Sequence, residues 1–268
     1  MIYFLLGDAM EKFDYKKKYG QNFLNDKTII EKIVDSIPAS SSDLIIEIGP
    51  GSGALTKIMK RFGAHILAFE IDKETNKFLS KLEDDKTKII YNDFLESDID
   101  KCISEIEYSN LYIIGNIPYY ITTPIIKKIT NLEARVNEVV LMVQKEFADR
   151  LCAEPSSKNY GSLTVYIRSK YNVKKIVDVN KRSFTPVPKV DSSVIKLTPH
   201  DNYQIENKIG FENFIKEAFK FKRKTLKNNL TNYNLDLVNI TLNKYGYSIS
   251  NRAEEIPVEI FIDLYNSL

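Results

Sequence analysis

A short apolar strand that runs into a glycine-rich turn and then a helix limits this chain's fold more than any other feature. Leu44-Ile45-Ile46-Glu47-Ile48 has strand length, Gly49-Pro50-Gly51-Ser52-Gly53-Ala54 follows, and Leu55, Ile58 and Met59 open a helix. A strand that is apolar at nearly every position is buried on both faces, as in parallel sheets covered by helices. Glycines in the turn let the backbone approach a ligand and take conformations closed to other residues. A second strand, His65 to Phe69, ends at Glu70, close to twenty positions beyond the turn. A carboxylate there is placed to accept hydrogen bonds from two ribose hydroxyls. The turn also satisfies the dinucleotide pattern G-x-G-x-x-A, so an NAD-linked oxidoreductase is the competing reading.

Helix 72–83, strand 87–91 and Asn92-Asp93-Phe94 continue the alternation. Asp93, at a third strand end, is either an acceptor for an adenine amine with Phe94 beside the ring, or an ordinary cap. Strand 111–114 precedes Asn116-Ile117-Pro118-Tyr119, and helix 123–131 follows with Thr123 as cap and Pro124 at its first position. The pattern then gives strand 137–143, a helical segment 144–152, a loop 153–160, helix 162–171 and strand 173–179. A proline-stiffened loop from Phe184 to Val190 presents an aromatic before a last strand at 193–197. This βα alternation predicts an α/β fold with a mainly parallel sheet and helices on both faces. Residues 211–268 carry helical periodicity without strand signal, which predicts a small C-terminal α-helical domain. The expected divisions are a flexible leader at 1–15 (with Met10 an alternative start), a main domain at 16–199 and the helical domain at 200–268.

The loop Asn116-Ile117-Pro118-Tyr119 has a specific chemical use. Pro118 fixes its own φ and pushes Ile117 into an extended conformation. The asparagine amide and tyrosine ring are thereby held at the carboxyl end of a strand, where open α/β sheets bind ligands. An exocyclic amine of a base is a poor nucleophile because its lone pair is delocalised into the ring. An Asn carbonyl and a neighbouring backbone carbonyl that accept its N–H bonds localise that pair and aim it, while an aromatic ring stacks on the base. Asn and Pro are also turn residues, so an ordinary turn is the alternative for the tetrapeptide alone.

Composition narrows the partners. The net charge is only +2, but Lys and Arg cluster at 16–18, 168–189 and 220–227, which fits either phosphate backbones or solvated surface. The segment Lys220 to Asn229 mixes positive charge with amide side chains, the makings of an RNA contact. Two cysteines and two histidines stand apart, with no zinc spacing and no disulfide framework, so a reducing, cytoplasmic setting and no metal are expected. The apolar opening Met1 to Leu6 is too short to span a membrane.

Together these residues resemble the ribosomal RNA adenine dimethyltransferase family. The motifs are YGQNFL (19–24), EIGPGSGALT (47–56), GNIPYYITTPI (115–125), FTPVPKVDSSV (184–194) and KRKTLKNNL (222–230). The resemblance implies a Rossmann-like methyltransferase sheet and S-adenosyl-L-methionine as cofactor, held by Gln21, Asn22, Leu24, Gly49, Gly51, Glu70, Ile71, Asp93, Phe94 and Asn116. It implies Asn116, Pro118, Tyr119 and Phe184 as the catalytic set, with the target adenine between Tyr119 and Phe184. RNA contacts would come from Lys17, Lys18, Lys189, Lys222, Arg223 and Lys224. PKVDSSV and KRKTLKNNL resemble the branch that dimethylates two adjacent adenines of small-subunit rRNA during ribosome assembly, and a monomer acting on an immature small subunit is expected. A large-subunit rRNA methyltransferase conferring antibiotic resistance, and an RNA-binding assembly or transcription factor with little turnover, are the alternatives. The doubled Tyr119-Tyr120 departs mildly from the family pattern, and the leader lies outside it.

Overall fold

The structure is a computed structural model that describes residues 21–268 throughout and, before them, the backbones of Ile2–Leu6 and Ala9–Phe13. Those two segments, β1 and β2, pair antiparallel, with Ile2 opposite Phe13 and Leu6 opposite Ala9. The sequence reading contains no such ladder. Along the chain follow β3 (Phe23–Leu24), α1 (Lys27–Val34), β4 (Leu44–Ile48), α2 (Ala54–Met59), β5 (His65–Phe69), α3 (Asn76–Leu79) and β6 (Thr87–Ile90). Next come α4 (Ile99–Ile103), β7 (Leu111–Asn116), α5 (Thr122–Thr130), β8 (Glu138–Gln144), α6 (Lys145–Leu151), α7 (Ser162–Arg168) and β9 (Tyr171–Val179). The last elements are β10 (Phe184–Thr185), β11 (Ser192–Pro199), α8 (Lys208–Ala218), α9 (Leu226–Asn229), α10 (Leu235–Asn243) and α11 (Val258–Asn266).

The main sheet has seven strands in the order β6-β5-β4-β7-β8-β11-β9. Pairings β5–β6, β4–β5, β4–β7 and β7–β8 are parallel, and β11 runs antiparallel to β8. From β4 the chain builds outward through β5 and β6, then returns to place β7 on the other side of β4. The strand order therefore reverses between β4 and β7, and the crevice at their carboxyl ends is where open α/β sheets bind ligands. All five residues of β4 are buried, as the apolar run requires. On one face, Ile45, Tyr112, Ile114, Val140, Met142 and Val194 pack with Ile29, Ile30, Ile33 and Val34 of α1 and Leu55 and Met59 of α2. Each such side chain contributes about 1.5–3 kcal/mol on burial. Asp26 starts α1 by accepting hydrogen bonds from the backbone N–H groups of Thr28 and Ile29, at 3.1 and 3.3 Å.

The chain forms two compact units that interleave in sequence. One is 1–145 with 175–197, and the other is 146–174 with 198–268. The expected main domain at 16–199 included 146–174, whereas α6, the 153–160 loop and α7 belong with the C-terminal helices. Ala153, Tyr160 and Val165 share a buried cluster with Phe211, Phe214, Leu226, Val238, Ile256 and Phe261. Tyr160, 1 % exposed, donates its hydroxyl to the Ile256 carbonyl at 2.9 Å, and Ser156 N–H donates to Glu254 O at 2.7 Å. Contacts of this kind, far apart in sequence, leave no local signature. The C-terminal segment is otherwise helical as expected, from α8 to α11.

Candidate active site

One cleft opens at the carboxyl ends of β4 to β7. The turn after β4 contributes Gly49 and Gly51, β5 ends in Glu70 and Ile71, and β6 leads to Asp93 and Phe94. From β7 and its loop come Asn116, Pro118 and Tyr119, and the segment before α1 adds Gln21, Asn22 and Leu24. The structure thus brings together all the residues expected for the cofactor, which come from five separate stretches of sequence.

Local geometry explains each position. Gly49 and Gly51 have φ of +69° and +58°, in the left-handed region that favours glycine. A Cβ on Gly51 would also lie 2.6 Å from the Phe23 ring. Glu70, 4 % exposed, is the clamp of the turn: one carboxylate oxygen accepts Gly51 N–H at 2.9 Å and the other accepts Asp72 N–H at 2.8 Å. Burial raises its pKa above the ordinary carboxylate value, and the N–H bonds from Asp72 and Gly51 pull it partly back. The Ile71 N–H also reaches the carboxylate, so of its about four lone-pair sites at least one is left for a ligand hydroxyl. Gln21 Nε2 donates to Asp72 at 2.8 Å and ties the entrance segment to the same turn. Asp93 serves as a local cap, accepting Leu95 N–H at 2.8 Å on Oδ1. Phe94 is 4 % exposed and meets Phe69 edge to face at 5.6 Å.

Asn116 ends β7 with its Nδ2 donating to the Asn22 carbonyl at 2.8 Å, which fixes the orientation of the amide. Pro118 has φ −59°, as its ring dictates. The Tyr119 hydroxyl hydrogen bonds to that of Ser192 at 2.7 Å, and burial raises its pKa. Helix α5 differs from its expected start. Tyr119–Ile121 forms a tight 3-10 turn that runs straight into it, so Thr123 is not the cap, and Thr122 Oγ1 bonds the Tyr119 carbonyl at 3.1 Å.

Phe184 is a correction. It is 2 % exposed and does not line the cleft. Its backbone pairs with Leu24 across the β3–β10 ladder, and its ring packs into the core beside α1. Alternation in the ladder points Phe184 inward, whereas Thr185 Oγ1 faces the Asn25 amide at 2.5 Å. Among the expected RNA contacts, Lys189 is exposed between β10 and β11, and Lys222, Arg223 and Lys224 are exposed between α8 and α9. Asn229 of that last segment is instead buried, 4 % exposed. Lys17 and Lys18 lie outside the described residues.

One residue of the cleft was not assigned a role from the sequence. Glu47, 1 % exposed, lies within β4 and accepts the Thr56 hydroxyl at 2.6 Å. Burial, aided by the charge of Glu70, pushes its carboxyl up to about 8 against the pull of the Thr56 bond. A lone charged residue inside an apolar strand is the signal that marks it. Among the described residues, no group of His, Cys, Asp and Glu is arranged to hold a metal, and no helix is long and apolar enough to cross a membrane.

Comparison with known proteins adds a second line. Ribosomal RNA small subunit methyltransferase A of Onion yellows phytoplasma (strain OY-M) is 41% identical over 251 residues, covering 92% of this chain and 93% of that protein. The protein of the same name from Geobacillus thermodenitrificans (strain NG80-2) is 38% identical over 269 residues, covering 96% and 92%. A dimethyladenosine transferase from Plasmodium falciparum superposes with a TM-score of 0.75 at 24% identity, over 90% of this chain and 95% of that one. The 23S rRNA methyltransferase ErmE gives 0.71 at 24% identity, over 92% and 99%, and these two likenesses carry the fold alone. The ribosomal RNA adenine dimethylase pattern matches residues 12–268, so it takes in both compact units and every strand end that builds the cleft, and the chain belongs to that family.

Proposed function

We propose that this protein transfers methyl groups from S-adenosylmethionine to the exocyclic N6 of two adjacent adenines in small-subunit rRNA, within a partly assembled subunit. The observation that supports this most is the meeting, in one cleft, of a buried ribose-type carboxylate, Glu70, with an amine-positioning loop, Asn116 to Tyr119. The relatives at 41% and 38% identity, named small subunit methyltransferases, favour that RNA over the large-subunit alternative.

The donor set fits the cofactor. Glu70 would take the ribose with its remaining lone-pair capacity, Asp93 and Phe94 the adenine, and the Gly49–Gly51 turn with Asn22 the amino-acid portion. When bound, S-adenosylmethionine supplies an electrophilic methyl group on a positively charged sulfur. With Asn116 Nδ2 held by the Asn22 carbonyl, Oδ1 is left to accept one N–H of the target amine. A neighbouring backbone carbonyl of the Asn116–Tyr119 loop would be the second acceptor, as the Ile121 N–H on Pro118 O and the Thr122 Oγ1 on Tyr119 O hold that loop in place. The two oxygens localise the lone pair, aim it, and stabilise the positive charge that develops on nitrogen. The Tyr119 ring, steadied through Ser192, stacks on the unstacked base. The amine loses its proton to water after attack, so no general base is required, and neither histidine lines the cleft.

Mass spectrometry of small-subunit rRNA from cells with and without the gene tests the assignment. Loss of two adjacent dimethylated adenines is expected. An unchanged small-subunit pattern would overturn it.

A further inference from the structure

Phe221 is 53 % exposed in the loop between α8 and α9. A single exposed phenylalanine needs no explanation by itself. Its setting does. Asn229, 4 % exposed, holds the main chain of Phe221 on both sides: Oδ1 accepts Phe221 N–H at 3.1 Å, while Nδ2 donates to Phe221 O at 3.4 Å and to Ala218 O at 2.8 Å. Lys224 N–H adds a bond to Phe221 O at 2.9 Å, and beyond the loop Leu226 N–H donates to Asn251 O at 2.9 Å. The ring is therefore held out toward solvent by a backbone fixed at both ends, so little order remains to be gained on binding.

The surroundings are cationic. Lys220 Nζ lies 5.4 Å from the ring centroid. Lys222, Arg223 and Lys224 are exposed and have no ion pair among the described residues. One aromatic face amid four cations offers too little apolar area for a stable protein contact. It matches an unpaired nucleotide, whose base presents a π-face and whose flanking phosphates meet the cations.

We propose that Phe221 is a stacking platform for an unpaired base of the RNA substrate, with Lys222, Arg223 and Lys224 on the phosphates beside it. This rests on the RNA-methylating function proposed above and names a contact remote in sequence from the catalytic loop. The lysines and arginine supply affinity that depends on salt, and the ring supplies a part that does not.

The chain contains no tryptophan, so Phe221→Trp installs a single fluorescent reporter at the site. Titration with protein-free small-subunit rRNA is expected to quench its emission at saturation. Phe221→Ala should bind about 5- to 150-fold more weakly, the equivalent of one stacked base. Its slope of affinity against salt should equal that of the wild type, and Phe221→Tyr should restore binding. Changing Lys222, Arg223 and Lys224 together to Gln should instead flatten the slope by up to about three phosphate contacts. If the wild type binds and methylates RNA while Phe221→Ala binds equally well, the stacking role is overturned and the function stands. Weaker binding to intact subunits but not to protein-free rRNA would mean the ring meets a ribosomal protein, which also overturns stacking. A wild type that binds neither protein-free rRNA nor partly assembled small subunits overturns both.

Discussion

Glu70→Gln changes one atom of the cleft and two of its contacts. Both oxygens of Glu70 accept backbone N–H groups, Gly51 at 2.9 Å and Asp72 at 2.8 Å. Glutamine keeps one acceptor and turns an NH2 toward the other N–H, so one charge-assisted bond, about 1.5–3 kcal/mol, is lost. Against this, burial already disfavours the Glu70 carboxylate, and the neutral amide is relieved of part of that cost. A net loss of about 1–2 kcal/mol in stability follows, or roughly 2–8 °C in Tm for a chain of this size. The effect on S-adenosylmethionine should be larger, because the ribose diol loses a charged acceptor: about 1.5–3 kcal/mol, or a 10- to 150-fold rise in Kd. Thermal scans give the first number and titration calorimetry the second, with NAD as a control ligand that should not bind. An unchanged Kd in a folded variant would refute the ribose contact. NAD binding by the wild type, with none of S-adenosylmethionine, would refute the methyl-donor cleft itself.

Asn116→Ala should lower single-turnover methylation about a hundredfold or more, since an acceptor positioned for the transition state is removed. Near-full activity would contradict its role toward the amine. Phe184→Ala should cost about 3–5 kcal/mol of stability in urea unfolding, because its ring is 2 % exposed in the core. Unchanged stability with RNA binding weakened by about 1–3 kcal/mol would return the ring to the base. Glu47 has its folded pKa raised from 4.5 to about 8, so the folded state retains a proton that the unfolded chain releases. Its contribution to stability is present in full below pH 4.5 and is lost as the pH rises through about 8. Thermal scans over that window should fall more steeply for the wild type than for Glu47→Gln, and parallel curves would contradict a buried, protonated Glu47.

The alternation of strands and helices and the place of the cleft were legible because they rest on local patterns. The apolar run Leu44–Ile48, the glycine turn, the carboxylate at the end of β5 and the Asn-x-Pro-Tyr loop each announce themselves within a few residues. What escaped the sequence depends on packing between distant segments. Residues 146–174 belong with the C-terminal helices through Tyr160 and its bond to Ile256, which no periodicity reveals. Phe184 looks like a presented aromatic in a proline loop, but its register with Leu24 sends the ring into the core. Asn229 looks like one more polar residue of a basic run, yet it is a buried brace for Phe221. The cap at Thr123 failed because a 3-10 turn merges with α5 and leaves no break for a capping side chain to fill.

The central claim is that the cleft methylates adenine N6 in small-subunit rRNA. Purified immature small subunits, large-subunit rRNA and short oligonucleotides, each incubated with methyl-labelled S-adenosylmethionine and this protein, test it directly. The account predicts label in the small-subunit RNA alone, recovered as N6,N6-dimethyladenine at two adjacent positions and abolished by Asn116→Ala. Label appearing mainly in large-subunit rRNA, or none from a protein that binds the cofactor, would contradict it.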